Sequence, residues 1–580
     1  MQALILAAGK GSRLGSLTEN KPKCMIDVAG KSIIDRTVES LINNNINRII
    51  IVIGYLGSVL SEYLVNMYPN VDFVFIDESK LISEQHNNIY SFLVAKDELV
   101  KDDTLVIESD ILFKPELITD LVDNVILNQA VISYFEDYMN GSCVALDENN
   151  HITTLVNLSK YEKTNLYKTV NIYKFSKDFL ADIYIPYCET YMNTFGLDCY
   201  YEEPLDVLVK NSNLIGYVIN SRDWFEVDTQ EDLDIANILF ASPEDKYTKL
   251  VSWYGGYHKI PNLVDCCYLT NPFFDVESIL YRLDISKLIR DYPAGSNRSI
   301  THLSRFYNIP ETYLAVGNGA TELIKALGKY FSDKSAEINS PTFNEYYRFF
   351  NIDNTCDSEV KIIVNPNNPA GWISKEEIFA NIDDSKKNNH IIIIDESFMD
   401  FVPKDKCFSL MNKDILNTYP NLIVLKSLGK SFGLNGLRIG LIATSNVQLI
   451  ESIKNILPSW NINSATEEIL ARLYLEKDNY ECSLELVANE AQRIVDTLTN
   501  NDQFGFETVN WNGTNFITAR LKDISAHKFC VDMLDKYMII FKDLENKLSE
   551  GWIRISINTR ADNDYVLNSI RDYIQSNNQR

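Results

Sequence analysis

Residues 4–25 read LILAAGKGSRLGSLTENKPKCM, an apolar run followed at once by a glycine-rich, basic loop. An apolar run that ends in glycines predicts a buried β-strand passing into a tight turn. Gly9, Gly11 and Gly15 allow backbone N–H groups to approach an anion closely, and the interleaved basic side chains neutralise it. The segment therefore predicts a triphosphate site, not only a turn, and its spacing differs from that of a P-loop.

The first 240 residues alternate apolar runs with helical patterns. Apolar runs occur at 3–9, 48–55, 71–77 and 103–113, and amphipathic patterns at 32–42, 87–95 and 231–240. This rhythm is typical of βα units around a mostly parallel sheet. We therefore predict an α/β domain over residues 1–240.

A second α/β block follows a polar, glycine-containing stretch without clear period, which predicts a linker over 241–257. Its strand candidates are YLAVGN (313–318), VKIIVNP (360–366), HIIIIDES (390–397), NLIVLKS (421–427), RIGLIAT (438–444) and WIRISIN (552–558). No internal repeat links the two blocks. We predict a second domain over 258–580, and interpret the chain as a fusion of two catalytic units.

Composition narrows the classes of function. The 580 residues carry a net charge of -26, which would repel a phosphate backbone, so nucleic acid is not expected as a partner. The ten cysteines are scattered without C-x-x-C pairs and are interpreted as reduced thiols. No apolar run approaches the roughly 18 residues needed to cross a bilayer, and the first residues lack a basic n-region. We expect a cytoplasmic protein without membrane contact.

The pattern L-A-A-G-x-G-x-R-L at 6–14, followed by Pro22-Lys23, resembles the sugar-nucleotide pyrophosphorylase superfamily of nucleotidyltransferases. The resemblance implies a Rossmann-like, GT-A-like mixed sheet. It also implies that the glycine loop and Arg13 hold a nucleoside triphosphate while Lys23 contacts the phosphates at the reacting centre. The nucleotide-binding residues implied or expected are Leu6, Ala7, Ala8, Gly9, Gly11, Arg13, Lys23, Asn88 and Ser91.

Transfer of a nucleotidyl group between two polyanions needs a divalent ion to spread the developing charge. Asp110 ends an apolar strand, where ligands bind in open α/β sheets. Asp228 follows a second short run, with Glu226 on the same strand face. The family's Mg²⁺-binding aspartates match Asp110 and Asp228. The alternative for Asp228 is a helix N-cap, since T-Q-E-D-L follows it.

The segments HNNIYSF and WFEVDTQEDL resemble the CTP:phosphocholine cytidylyltransferase branch. That branch uses CTP and an acceptor whose cation is held by aromatic rings and carboxylates. We therefore expect a pocket for a small phosphonate or phosphate amine. Its candidate residues are Tyr173, Tyr201, Glu202 and Glu203, with Tyr200 and Trp224 nearby. The alternative is a solvated acidic turn beside packed tyrosines.

The second block contains the residues that pyridoxal phosphate requires. The cofactor needs a Schiff-base lysine, an acid for its pyridine nitrogen and a hydrogen-bonding cup for its phosphate. Lys430 has Ser427 three residues before it and Arg438 eight residues after it. Asp395 ends a fully apolar strand, where a buried carboxylate needs a cationic partner. A glycine-rich helix start at Gly319, Ala320 and Thr321 suits a phosphate.

These spacings resemble fold-type I PLP-dependent enzymes of class I/II, in particular histidinol-phosphate aminotransferase and threonine-phosphate decarboxylase. The resemblance implies Asn368 on the phenolic oxygen, Phe343 stacked on the ring and Arg554 on a substrate carboxylate. It also implies Thr321, Ser427 and Arg438 on the phosphate. Tyr292 matches a tyrosine that reaches the phosphate from a partner subunit, which implies a homodimer. One departure is Phe398, where many relatives have a tyrosine that bonds the phenolic oxygen.

Three interpretations follow. In the first, a bifunctional enzyme transaminates phosphonoacetaldehyde, using an amino acid donor, to 2-aminoethylphosphonate and then attaches CMP from CTP with release of pyrophosphate. In the second, a phosphocholine or phosphoethanolamine cytidylyltransferase is fused to a histidinol-phosphate-type aminotransferase or an amino acid phosphate decarboxylase. In the third, a non-catalytic scaffold has lost its catalytic groups. The presence of Lys430, Asp395, Lys23 and Asp110 argues against the third.

Overall fold

The chain forms two compact units, Met1–Leu263 and Val264–Arg580, in a computed structural model. The residues described are 1–78, 87–157, 166–209, 214–353, 358–369, 371–499 and 501–578. Among these residues, no helix is both long enough and apolar enough to cross a membrane. Each unit is described by itself.

The first unit is an α/β domain, a mixed parallel and antiparallel β-sheet with helices packed against it. Its strands are β1 (Gln2–Ala7), β2 (Asp27–Val28), β3 (Lys31–Ser32), β4 (Arg48–Ile53), β5 (Asp72–Asp77), β6 (Thr104–Glu108), β7 (Ile111–Phe113), β8 (Gln129–Tyr134), β9 (Ser142–Leu146), β10 (Ile152–Asn157), β11 (Tyr167–Phe175), β12 (Ile215–Ile219) and β13 (Trp224–Glu226). Its helices are α1 (Ile33–Asn43), α2 (Gly57–Met67), α3 (Asn88–Leu93), α4 (Lys96–Leu99), α5 (Glu116–Asp123), α6 (Lys177–Phe179), α7 (Ile185–Phe195), α8 (Glu203–Leu208), α9 (Gln230–Leu239) and α10 (Pro243–Trp253).

The sheet places the glycine-rich loop beside the predicted metal ligands. Its order is β10-β9-β11-β6-β1-β4-β5, with β8 paired to both β11 and β12. β1 runs parallel to β4 and β6, so the carboxyl ends of all three meet at one edge. The loop after β1 and the Asp110 that follows β6 therefore lie together, as the sequence predicts.

The segment predicted as a linker contains helix α10, and the boundary between the compact units falls after Leu263 rather than within 241–257. The Ser242 side chain accepts a hydrogen bond from the backbone N–H of Asp245, and Pro243 stands at the first helical position. Both are helix-start signals. α10 packs against α9, which ties it to the first unit.

The second unit contains two sheets. Its strands are β14 (Val264–Cys266), β15 (Leu314–Asn318), β16 (Ser335–Ile338), β17 (Asn351–Ile352), β18 (Val360–Val364), β19 (Ile391–Asp395), β20 (Leu422–Ser427), β21 (Ile439–Ala443), β22 (Phe506–Asn510), β23 (Phe516–Leu521), β24 (Ile539–Asp543) and β25 (Trp552–Ser556). Its helices are α11 (Glu277–Leu280), α12 (Ile285–Arg290), α13 (Ser296–Tyr307), α14 (Ala320–Tyr330), α15 (Asn344–Phe349), α16 (Lys375–Lys387), α17 (Lys413–Thr418), α18 (Leu428–Ser431), α19 (Val447–Ile456), α20 (Ser464–Leu473), α21 (Lys477–Thr499), α22 (Ala526–Tyr537) and α23 (Arg560–Asn578).

The large sheet of the second unit has the order β15-β21-β20-β19-β18-β16-β17 in the described residues. All pairs are parallel except those that β21 makes with β15 and β20. The smaller sheet, β14-β24-β25-β23-β22, carries Arg554. The six predicted strands are all present. Asp395 and Ser427 stand at the carboxyl ends of neighbouring parallel strands, which brings the predicted cofactor residues to one edge.

Candidate active sites

A cavity of about 750 Å³ opens at the carboxyl ends of β1 and β6 in the first unit. Leu6 and Ala8 line it, whereas Ala7 between them belongs to the core on the opposite face, because successive residues of a strand face opposite sides. The other predicted nucleotide-binding residues also line it, namely Gly9, Gly11, Arg13, Lys23, Asn88 and Ser91.

Lys23 is held between the two predicted metal ligands. Its Nζ donates to Asp110 at 2.6 Å and to Asp228 at 2.7 Å, and the Arg13 guanidinium lies 3.1 Å from Asp228. Burial opposes the charged form of Lys23, but the two carboxylates outweigh it and raise the pKa of the amine. Gly11 has φ +62°, and a Cβ there would lie 3.0 Å from the Lys23 Cβ. The glycine therefore provides the space in which Lys23 reaches both carboxylates.

A third carboxylate joins the predicted pair. Ligand oxygens of Asp110, Glu226 and Asp228 lie within 4.8 Å of one another, and Asp110 Oδ1 is buried with no hydrogen-bond partner among the described residues. Burial raises the pKa of Glu226 to about 7, with Lys168 opposing this shift and the nearby Asp110 and Asp228 carboxylates adding to it. The helix after Asp228 is capped by Thr229, so a capping role does not account for Asp228. An oxygen-only donor set of this kind suits Mg²⁺.

Two further residues of the cavity were missed by the sequence analysis. Glu108 accepts hydrogen bonds from Asn88 at 3.1 Å and Asn171 at 3.5 Å, and burial, reinforced by neighbouring carboxylates, raises its pKa well above the usual range. Lys168 is 3% exposed and its Nζ lies 5.8 Å from the Trp224 ring centroid. Lys168 is one of two buried lysines in β11, the other being Lys174, so the rarity of buried lysine did not by itself mark Lys168 in the sequence.

The structure separates the residues predicted for the acceptor pocket. Glu202 lines the cavity, and its carboxylate accepts a hydrogen bond from the Tyr173 hydroxyl. Tyr173 and Tyr201 are fully buried behind it and stack with other rings of the core. Glu203 lies outside the lining that the described residues form, and accepts a hydrogen bond from Tyr191 at 3.2 Å. We therefore correct the predicted pocket: of its two glutamates, Glu202 alone faces this cavity.

In the second unit, Lys430 lies just beyond β20 in helix α18. Its Nζ donates to Ser427 Oγ at 3.0 Å. Burial lowers the pKa of this amine to about 8. Asp395 opposes the shift, and the cationic Arg438 and Arg554 add to it. A lysine with a depressed pKa supplies the neutral amine that attacks an aldehyde.

The lowered pKa predicts how pyridoxal phosphate uptake depends on pH. The fraction of neutral Lys430 rises about tenfold per pH unit below its pKa, so the rate of cofactor uptake should rise up to about pH 8 and then level off. Stopped-flow absorbance of the cofactor-free protein mixed with pyridoxal phosphate measures this rate. A rate that climbs steadily to pH 10 would indicate an ordinary lysine and contradict the prediction.

Asp395 and Asn368 are held by hydrogen bonds. Asp395 is 4% exposed and accepts from the Tyr346 hydroxyl at 2.8 Å and from the Ser397 backbone N–H at 2.9 Å. Arg554 donates to Asn368 Oδ1 at 2.6 Å, so the predicted carboxylate-binding and phenolic-oxygen residues are in direct contact. In the part of the chain that the structure describes, Arg554 Nε is buried without a partner, which leaves a donor for a bound anion.

The start of α14 forms a small cradle. A Cβ on Gly319 would lie 2.7 Å from the Arg438 guanidinium, and a Cβ on Gly440 would lie 2.6 Å from the Ala320 backbone nitrogen. Thr321 stands in the first turn of the same helix. These close approaches bring backbone N–H groups and a guanidinium together, as a phosphate requires. The residues present fit pyridoxal phosphate.

The predicted aromatic residues have different surroundings. Phe343 is 41% exposed at the N-cap of α15, and Phe398 is buried with its ring centroid 5.5 Å from the Lys430 Nζ. Tyr292 is 85% exposed, with its ring 5.2 Å from that of Trp460. Its reach toward a partner subunit stays a prediction.

Comparisons with known proteins agree with this division. Residues 2–190 match the family model described as nucleotidyl transferase. Residues 351–570 match the model described as aminotransferase class I and II.

Relatives match either the whole chain or its second unit. CMP-5'-(3-aminopropyl)phosphonate synthase of Streptomyces rubellomurinus is 24% identical over 611 residues, covering 99% of this chain and 95% of the relative. L-serine phosphate decarboxylase of Campylobacter jejuni is 30% identical, covering 54% of this chain and 90% of the relative. Histidinol-phosphate aminotransferase of Pyrococcus furiosus is 28% identical, covering 47% of this chain and 80% of the relative. The chain therefore belongs to the class I and II aminotransferase family through its second unit, and with the nucleotidyltransferase domain that precedes it forms an enzyme with two catalytic units.

Proposed function

We propose that this enzyme makes a phosphonate- or phosphate-bearing primary amine in its second unit and attaches CMP from CTP to that amine's phosphonate or phosphate in its first. The observation that carries the proposal is the full-length similarity to CMP-5'-(3-aminopropyl)phosphonate synthase, which spans both units. A relative of one unit alone would give no reason to link the two reactions.

In the first unit, the residues divide the work of nucleotidyl transfer. An oxygen of the acceptor's phosphonate or phosphate attacks the α-phosphorus of CTP. The bond between the α-phosphorus and the oxygen that bridges to the β-phosphorus then breaks, and pyrophosphate leaves with that oxygen. Asp110, Glu226 and Asp228 would hold Mg²⁺, which spreads the charge that develops on the phosphate oxygens. Arg13 and Lys23 bring positive charge to the same point. Lys23 pairs with Asp110 and Asp228, and with an ion on those carboxylates it would be free to bind the phosphates.

In the second unit, pyridoxal phosphate would be bound by Lys430, Asp395 and the cradle at Gly319. When bound, it supplies an electron sink for bonds broken at the carbon that bears the amine. Lys430 can carry a proton at Nζ, since its pKa of about 8 lies near neutral pH. Arg554 would orient the carboxylate of an amino acid by paired hydrogen bonds.

For the reaction of the second unit, one candidate is transamination of phosphonoacetaldehyde to 2-aminoethylphosphonate. The match to the aminotransferase family supports it. A second candidate is decarboxylation of a phosphate- or phosphonate-bearing amino acid. The similarity to L-serine phosphate decarboxylase at 30% identity favours it, and decarboxylation also leaves a primary amine. Both candidates supply the same class of acceptor to the first unit.

Product analysis tests the proposal and separates the two candidates. The purified protein is incubated with CTP, Mg²⁺ and a panel of 2-aminoethylphosphonate, 3-aminopropylphosphonate, phosphoethanolamine and phosphocholine, and CMP conjugates are identified by mass spectrometry. Separate incubations with carboxyl-labelled phosphoserine, or with phosphonoacetaldehyde and amino donors, report labelled CO₂ or the keto acid of the donor. Failure of every acceptor on the panel would contradict cytidylyl transfer to such amines.

The acceptor pocket predicts a preference for unmethylated amines. A primary ammonium donates three hydrogen bonds to carboxylates, whereas a trimethylammonium donates none. We expect 2-aminoethylphosphonate to be used better than phosphoethanolamine and phosphocholine to be a poor substrate. Glu202→Gln should lower kcat/KM for the aminophosphonate by about 10- to 100-fold, the value of a hydrogen bond to a charged group.

Glu203→Gln is the matched control, because Glu203 contacts Tyr191 outside the cavity. Its selectivity among the three acceptors should equal that of the parent protein. A parental preference for phosphocholine, or equal selectivity in the parent and Glu202→Gln, would contradict the predicted role of Glu202.

A further inference from the structure

The hydroxyl of Tyr346 lies against the acid predicted to face the cofactor's pyridine nitrogen. It donates to Asp395 Oδ2 at 2.8 Å, while the Ser397 backbone N–H donates to Oδ1. Tyr346 has no exposed surface, and its ring packs 6.2 Å from that of Phe350. Each carboxylate oxygen of Asp395 therefore has one fixed donor from the protein and retains a lone pair for another partner.

Tyr346 lies close in the chain to another residue predicted to contact the cofactor. Phe343, predicted to stack on the cofactor ring, stands three residues earlier at the N-cap of the same helix α15. The segment from Phe343 to Tyr346 would thus both pack against the face of the cofactor ring and orient Asp395 at the edge of that ring. Phe343 is predicted from the sequence as a cofactor residue, whereas the role of Tyr346 emerges only from its contact with Asp395.

We infer that Tyr346 is a positioning residue that fixes the Asp395 carboxylate toward the pyridine nitrogen of pyridoxal phosphate. A hydroxyl that donates to a carboxylate favours its charged form, and a charged Asp395 would hold a proton on the pyridine nitrogen of the bound cofactor. Without the hydroxyl, Asp395 would hold that proton on the nitrogen less firmly, and the bound cofactor would be a weaker electron sink. The inference rests on the proposed binding of the cofactor at Lys430.

The test is Tyr346→Phe, which keeps the ring and removes the hydroxyl. The pH at which the visible absorbance band of the bound cofactor titrates should rise by about half a unit to one unit, and the dissociation constant of pyridoxal phosphate should increase about tenfold. Tyr573→Phe is the matched control, since Tyr573 is also buried and donates to a carboxylate, that of Asp532, at 2.7 Å. The control should titrate like the parent.

A second measurement separates positioning from packing and remains informative if Tyr346→Phe is less stable. With a deaza analogue of the cofactor, in which carbon replaces the pyridine nitrogen, Asp395 has no ring N–H to bind. The parent and Tyr346→Phe should then bind the analogue with equal affinity. An equal loss of affinity for both cofactors, or an unchanged absorbance titration in Tyr346→Phe, would overturn the inference. A parent protein without any visible band would instead refute the proposed cofactor site.

Discussion

Lys430→Ala should abolish the visible absorbance of bound pyridoxal phosphate and reduce amine formation below detection. Lys430 has the features that covalent attachment requires: burial next to Ser427, a pKa lowered to about 8 and a location at the carboxyl edge of the sheet beside Asp395. An alanine cannot form the bond to the cofactor aldehyde. Pyrophosphate release by the first unit should continue at the parental rate, because the two units are separate compact bodies.

The control for this variant is Lys454→Ala. Lys454 lies on α19 and pairs with Glu451 at 3.0 Å as neighbours on one helix, an arrangement that contributes little to stability. It should retain both activities and the absorbance band. Borohydride reduction followed by peptide mapping provides a direct check, and a reduced lysine adduct persisting in Lys430→Ala would mean that another lysine carries the cofactor.

The residues that could be predicted from the sequence lie where backbone topology alone determines position. Asp395 and Ser427 each end a strand and Asp110 follows one closely, and parallel strands bring their carboxyl ends to a common edge. Motif spacing was therefore sufficient to gather them. The helix in the predicted linker also had visible signals, Ser242 followed by Pro243, but they were outweighed by the glycines and polar residues that follow.

The residues that could not be predicted depend on side-chain packing between distant segments. Glu202 and Glu203 are adjacent in sequence, and only the packing of Tyr173 and Tyr191 decides which of them faces the cavity. Tyr346 meets Asp395 across 49 positions of the chain. Such contacts carry no local pattern, so a single sequence offers no period or motif that would identify them.

Replacing either predicted metal ligand should cause the largest loss in the first unit. We expect Asp110→Asn and Asp228→Asn to lower kcat/KM for pyrophosphate release by about 10³-fold, since a metal ion supplies several kcal/mol of transition-state stabilisation and each 1.36 kcal/mol is tenfold in rate. Asparagine keeps the volume of the side chain and removes the charge that both Mg²⁺ and Lys23 require. Titration with Mg²⁺ should also show a weaker apparent affinity in both variants.

Asp72→Asn provides the control for these substitutions, because Asp72 is an exposed strand residue paired with Arg48 at 2.6 Å and does not line the cavity. It should retain the parental rate and the parental dependence on Mg²⁺. The absorbance of the cofactor bound to the second unit should be unchanged in all three variants, because the substitutions lie in the first unit. If Asp110→Asn and Asp228→Asn both kept near-parental rates, the carboxylates that bracket Lys23 would not hold the ion, and the buried, unpartnered Oδ1 of Asp110 would need another explanation.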